Sequence, residues 1–261
     1  MLYLVSTPIG NLKDITLRAL ETLQLVDGII CEDTRRTRIL LDHYQIRKPL
    51  YVLNDFNEAK VYPRYIQMLQ QGQNLALVSD AGTPLISDPG YKLVRTAFFE
   101  KITLDAIPGP SAVIDALTLS SFPPQKFFFL HFLPEKRKAR EELLWSLKAI
   151  AQCQSFTAII FVSPYKLVIT LEDIHLIMGN REIVLAHELT KIHQSVDRKF
   201  ASDWLEYFKS HKPKGEYVLL LNLDLSSSPE VQKIAKESMW KINEAILEDI
   251  KKQSGKSKEI G

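Results

Sequence analysis

Apolar positions in the first half of the chain fall in short continuous runs, separated by stretches where they recur every three or four residues. The runs at 2–5, 28–31, 49–53, 75–78 and 102–107 predict strands. The periodic stretches at 15–26, 34–43, 58–70, 91–99 and 112–119 predict helices. Strands that are apolar throughout and alternate with helices argue for a parallel sheet covered on both faces. At Ser121-Phe122-Pro123-Pro124, paired prolines stop the preceding helix and stiffen a linker. The alternation then resumes, with strands expected at 127–130, 156–162, 183–186 and 217–223 and helices at 139–151, 165–177 and 202–208. These strands are richer in aromatic and β-branched residues, and a mixed sheet is expected. Ser226-Ser227-Ser228-Pro229 reads as a joint before a last helix with an apolar face running from Val231 to Ile250. Its opposite face mixes both signs of charge, which suits packing against protein rather than membrane. The pattern predicts an α/β chain of two domains, 1–121 and 125–225, with a helical extension and polar tail at 229–261.

Composition narrows the class. A length of 261 residues suits one large domain or two small ones, and 46% hydrophobic with 25% charged residues excludes collagen-like, disordered and low-complexity architectures. No apolar run reaches the roughly 18 residues of a membrane span. The opening MLYLVSTPIGNL lacks a basic segment and meets Pro and Gly too early for a signal peptide. Cys31 and Cys153 cannot build a disulfide framework, and both lie in apolar stretches that predict buried thiols. A soluble, cytoplasmic protein is expected. The formal charge of +2 is neutral on partners, so any nucleic acid must be argued from local clusters. The six His and two Cys show no metal-ligand spacing, so no metal is expected.

The glycine loops that cradle pyrophosphate or a nucleoside triphosphate, G-x-G-x-x-G and G-x-x-x-x-G-K-[ST], are absent. His187-Glu188-Leu189-Thr190-Lys191 has Lys where a zincin needs its second His, and Gly109-Pro110-Ser111-Ala112-Val113 lacks the last Gly of a nucleophile elbow. Placement is more telling. Three loops of Pro, Gly and small hydroxyl residues each follow a predicted strand: Thr7 to Asn11, Ser79 to Gly90, and Pro108 to Ser111. One such loop would merely turn the chain. Three at the carboxyl edge of an open α/β sheet point to a ligand, and without a phosphate anchor they suit an adenosyl cofactor that carries no phosphate.

A second cluster, Cys31-Glu32-Asp33-Thr34-Arg35-Arg36-Thr37-Arg38, runs from a strand end into a helix. Asp33 or Thr34 would cap that helix, and carboxylates suit its positive end. Three arginines there are not explained by capping. With Arg47, Lys48, Lys136-Arg137-Lys138 and Arg140 they form a candidate hold on an RNA backbone, although for the Lys136 run alone a solvated helix start is the slightly better account.

On the segments LYLVSTPIGNLKDITLRALETL, EDTRRTRILL, LALVSDAGTPLISDPGYKLVR and IPGPSAVIDAL, the chain resembles the bacterial ribosomal RNA small subunit methyltransferase I family, within the tetrapyrrole methylase superfamily. The resemblance covers about residues 2–223. It implies an S-adenosylmethionine-dependent enzyme that methylates the ribose 2′-hydroxyl of a cytidine in 16S rRNA, naked or in the 30S subunit. It further implies two α/β domains with the cofactor in the cleft between them, and a homodimer. Carried over residue by residue, cofactor contacts would come from Pro8, Asp80, Ala81, Gly82, Thr83, Leu85 and Ser111, and from Val162, Ser163, Ala186 and His187. Glu32, Asp33, Arg35, Asn57, Glu58, Glu188 and Lys191 match family positions that would face the substrate, and the basic clusters add Arg36, Lys136 and Arg137 as candidate substrate contacts. The chain departs from the family pattern at Phe56, where a His is usual, at His131 in place of Gly, and at Val162 and Lys166, which replace a Glu and an Arg. His187 likewise replaces an Arg. A ribose hydroxyl needs a positioned base, for which Glu32, Asp33 and Glu58 stand open, with Lys191 orienting the acceptor. The competing functions are methylation of a tetrapyrrole carbon and non-catalytic RNA binding.

Overall fold

The computed structural model describes residues 1–224; the expected helix and tail at 229–261 lie outside the described residues. Strands β1 (Leu2–Val5), β2 (Gly28–Cys31), β3 (Leu50–Val52), β4 (Leu75–Val78) and β5 (Leu104–Ile107) form one sheet in the order β3-β2-β4-β1-β5. Every pairing in it is parallel. Its helices are α1 (Leu17–Leu25), α2 (Thr34–His43), α3 (Glu58–Gln70) and α4 (Tyr91–Phe99). Side chains alternate across a strand, so β2 sends Ile29 and Cys31 to one face and Ile30 to the other. Ile29 and Cys31 pack with Ala19 and Leu23 of α1 and Leu40 and Leu41 of α2. Ile30 packs with Tyr65 and Leu69 of α3 and Leu93 of α4. Burial on both faces is what made β2 and β4 continuously apolar.

Helix α5 (Ala112–Leu119) leads to a second sheet of β6 (Phe127–Phe132), β7 (Phe156–Val162), β8 (Glu182–His187), β9 (Ser195–Phe200) and β10 (Tyr217–Leu223), in the order β6-β7-β10-β8-β9. It is mixed: β6 runs parallel to β7, whereas β10 pairs antiparallel with β7 and β8. Helices α6 (Arg137–Ile150), α7 (Pro164–Met178) and α8 (Ala201–Ser210) pack on it through Leu144, Leu171 and Trp204.

Three details differ from the sequence expectation. Strand β9 was not anticipated, because Ser195, Asp197, Arg198 and Lys199 break its apolar pattern; as an edge strand it has one side to solvent, where charge is tolerated. Cys153 is exposed rather than buried, since it lies just beyond α6. Strand β6 extends to Phe132 through an irregularity at which His131 adopts φ +57°. By contact density the chain forms two compact units. The first is Met1–Ala116 together with Glu188–Ser195; the second is Leu117–His187 with the described residues from Val196 on.

Candidate active site

All five strands of the first sheet point the same way, so their carboxyl ends share one edge. Helices α1 and α2 lie on one face and α3 and α4 on the other. The connection leaving β4 therefore turns to the opposite face from those leaving its neighbours β1 and β2. Such divergence opens a crevice, the expected ligand position in an open α/β sheet.

The three Pro- and Gly-rich loops meet at this edge. Thr7 and Gly82 exchange backbone hydrogen bonds, N–H of each to O of the other, at 2.9 and 3.0 Å. The Thr7 hydroxyl donates to Ser79 O at 3.1 Å, and the Ser79 hydroxyl to Gly82 O at 2.8 Å. The Ser6 hydroxyl reaches Thr83 Oγ1 at 3.3 Å, and the Thr83 hydroxyl donates to Pro110 O at 3.4 Å. At Gly109 a Cβ would sit 2.8 Å from Ser6 Cβ, so only glycine lets the third loop approach the first. The 79–90 loop holds Leu85 at φ +72° and Ser87 at φ +77°, a left-handed conformation costly for non-glycine residues.

The structure separates the three candidate bases. The Asp33 carboxylate caps α2 by accepting from Arg35 N–H at 2.8 Å and also forks with the Arg35 guanidinium. Those bonds hold it down at about 2. Glu58 is buried, and its Oε1 accepts from Gly90 N–H at 3.1 Å and Lys92 N–H at 2.8 Å. It thus replaces the side-chain cap that Gly90 cannot supply to α4. Glu32 is half-buried, and burial, then the Asp80 and Asp55 carboxylates, raise its affinity for a proton. Asp88, which sequence reasoning did not single out, is pushed up to about 7 by burial and by Glu32 and Asp80. Its Oδ2 is buried with no hydrogen-bond partner among the described residues. The only sequence signal was that the long loop carries a second aspartate.

Asp80 turns its carboxylate toward α2: Oδ1 accepts from Asp33 N–H at 3.2 Å, and Oδ2 lies 3.5 Å from Arg36 Nε. Beside it a hollow of about 260 Å³ opens between the β1 and β4 loops and α2, with Pro8, Leu12, Ile39 and Leu40 among its walls. The Glu188–Ser195 segment belongs to this unit and seats on the first loop. A Cβ on Gly10 would fall 2.6 Å from Lys191 Cγ and 2.8 Å from Thr190 Oγ1. Lys191 Nζ pairs with Glu188 Oε1 at 2.9 Å, and Glu188 and Thr190 both adopt positive φ.

The model of the Tetrapyrrole (Corrin/Porphyrin) Methylases matches residues 1–203. The "Ribosomal RNA small subunit methyltransferase I" of Thermotoga maritima is 47% identical over 221 residues, which is 85% of this chain and 97% of that protein. The protein of the same name from Escherichia coli O157:H7 is 46% identical over 223 residues, 84% of this chain and 77% of that one. The chain belongs to this family of the tetrapyrrole methylases. Among solved structures, diphthine synthase superposes with a TM-score of 0.67 at 14% identity, covering 85% of this chain and 89% of that one. Cobalt precorrin-4 methyltransferase gives 0.63 at 16%, covering 85% and 95%. At those identities the likeness is one of fold.

Within the family frame, the remaining candidates sort by surroundings. Asn57 exchanges hydrogen bonds with Asn54, its Oδ1 accepting from Asn54 N–H at 2.8 Å, and so is engaged in the turn before α3. In the second unit Val162 and Ser163 line another hollow of about 260 Å³, with Lys166 on its wall. Ala186 is buried, and His187 stacks on Tyr217 with Nε2 2.9 Å from Lys214 O. Lys136 precedes α6, and Arg137, 65% exposed, pairs with Glu141 at 2.8 Å. Arg140 does not belong with the phosphate-holding cations: it is buried against Asp173 at 2.6 Å and donates to Pro134 O and Glu135 O. Among the described residues no cluster of three or more His, Cys, Asp or Glu is arranged to hold a metal, and no helix is long and apolar enough to cross a membrane.

Proposed function

We propose that the chain is an S-adenosylmethionine-dependent methyltransferase acting on the ribose 2′-hydroxyl of a cytidine in 16S rRNA, with Glu32 as the base. The observation that carries this reading is the clasped trio of loops at the sheet's crevice, beside a half-buried Glu32, in a chain 47% identical to a ribosomal RNA small subunit methyltransferase I.

The residues suit such a donor. A sulfonium is cationic, and Glu32 and Asp80 set carboxylates at this edge. Glycine keeps the loops close where a Cβ would intrude, as at Gly109. Pro8, Asp80 through its main chain, Ala81, Gly82, Thr83, Leu85 and Ser111 would hold the donor in this unit; Val162, Ser163, Ala186 and His187 keep the family-derived assignment. When bound, S-adenosylmethionine supplies the methyl group. The protein's work is to align the acceptor oxygen and remove its proton. Glu32 takes that proton, since Asp33 is committed to Arg35 and Glu58 to the start of α4. Lys191, held by Glu188, orients the acceptor, and the exposed Arg35 and Arg36, with Lys136 and Arg137, hold phosphates. The family reading also carries a homodimer working in the cytoplasm.

A tetrapyrrole substrate is the weaker alternative: a ring carbon offers no phosphates to the exposed arginines of α2, and the precorrin enzyme is only 16% identical. Glu32→Gln tests the assignment. Transfer of labelled methyl to 30S particles from a strain lacking the modification should fall about 10²–10⁴-fold, with calorimetric affinity for the donor kept. Asp33→Asn should retain most activity. Near-normal transfer by Glu32→Gln would remove Glu32 from the role.

A further inference from the structure

The hollow beside Asp80 is not needed to clasp the loops or to remove a proton, yet its lining is specific. Pro8, Leu12 and Leu40 give it apolar walls. Thr37, 5% exposed, contributes to the lining, and its hydroxyl rests by the Cys31 thiol, a weak acceptor, with no nitrogen or oxygen partner among the described residues. Among the described residues the Asp80 carboxylate, 20% exposed, has one N–H donor at 3.2 Å and a guanidinium at 3.5 Å. It therefore keeps acceptor capacity facing the hollow. Arg36, 60% exposed, is part of the same lining.

At about 260 Å³ the space falls below the roughly 300–1,000 Å³ that accommodates drug-sized ligands. One planar ring fits such a space, lying against apolar walls with a polar edge at Asp80 and a phosphate at Arg36. We propose that this hollow seats the base of the acceptor nucleotide, and that the Asp80 carboxylate reads an exocyclic amine on it. An amine donates to a carboxylate, whereas a carbonyl at the same ring position is repelled by it, so Asp80 selects cytosine over uracil. The inference rests on the RNA-methylating function proposed above and adds a base-reading site to it.

Ile39 stands on the wall of the hollow and is 65% exposed, outside the buried core, so a larger side chain there should fill the hollow and leave the core in place. The test measures kcat/KM for methyl transfer to 30S particles lacking the modification, and Kd for S-adenosylmethionine by calorimetry, in wild type, Ile39→Trp and Asp80→Asn. A second set of particles carries uridine in place of the mapped cytidine. Ile39→Trp should lower kcat/KM for particles about tenfold or more while donor Kd stays within about twofold. Wild type should prefer cytidine to uridine by about tenfold or more, and Asp80→Asn should narrow that ratio. The proposal is overturned if Ile39→Trp weakens the donor as much as the particles, which would give the hollow to the cofactor. Unchanged kcat/KM in Ile39→Trp, or an unchanged cytidine-to-uridine ratio in Asp80→Asn, overturns it equally. Failure of the underlying function has a different signature: wild type would label neither set of particles.

Discussion

Asp88 shows how far burial can move a single group. An aspartate held near 7 in the fold and near 3.8 when unfolded favours folding in its protonated form. That stabilisation is complete below about pH 4 and is lost as the pH rises through 7. Asp88→Asn, neutral throughout, should therefore melt higher than wild type at pH 8 and with no advantage at pH 4. An equal gain at both values would show that the carboxylate is not held protonated. Residue roles were the least legible part of the sequence. The family resemblance brought Glu32, Asp33 and Glu58 forward together, and their difference lies in partners distant in sequence: Glu58 caps a helix more than thirty residues on, at Lys92. Arg140 sat in a basic run, but helical periodicity turns it inward to Asp173.

At the scale of elements, the strands buried on both faces and the helices between them were legible because burial and periodicity coincide there. Strand β9 was not, since its place beside β8 at the sheet edge, rather than apolar content, makes it a strand. Two elements carry predictions. Helices α6 and α7 are tied by Arg140 and Asp173, whose side chains are 4% and 3% exposed. Asp173→Ala leaves a buried guanidinium without its counter-charge and should cost about 3–5 kcal/mol of stability, read from the urea midpoint. A loss near zero would mean water or another group takes the carboxylate's place. The Glu188–Ser195 segment seats on Gly10, where a Cβ has no room. Gly10→Ala should displace Lys191 and lower methyl transfer about tenfold or more, with the melting temperature little changed. Full activity in that variant would detach Lys191 from acceptor alignment.

Over the whole chain, two α/β units with one parallel and one mixed sheet follow the sequence expectation, and the family match extends across both. The return of Glu188–Ser195 to the first unit was not visible in the sequence, because it depends on a contact between Gly10 and a segment some 180 residues later. A net charge of +2 leaves the proposed RNA recognition to local groups rather than to the field of the whole protein. The most direct test is methyl transfer itself. Purified protein, labelled S-adenosylmethionine and 30S particles from a strain without the native modification should place label on the ribose of one cytidine in 16S rRNA. Particles left unlabelled by folded protein, or label found on a base, would contradict the account.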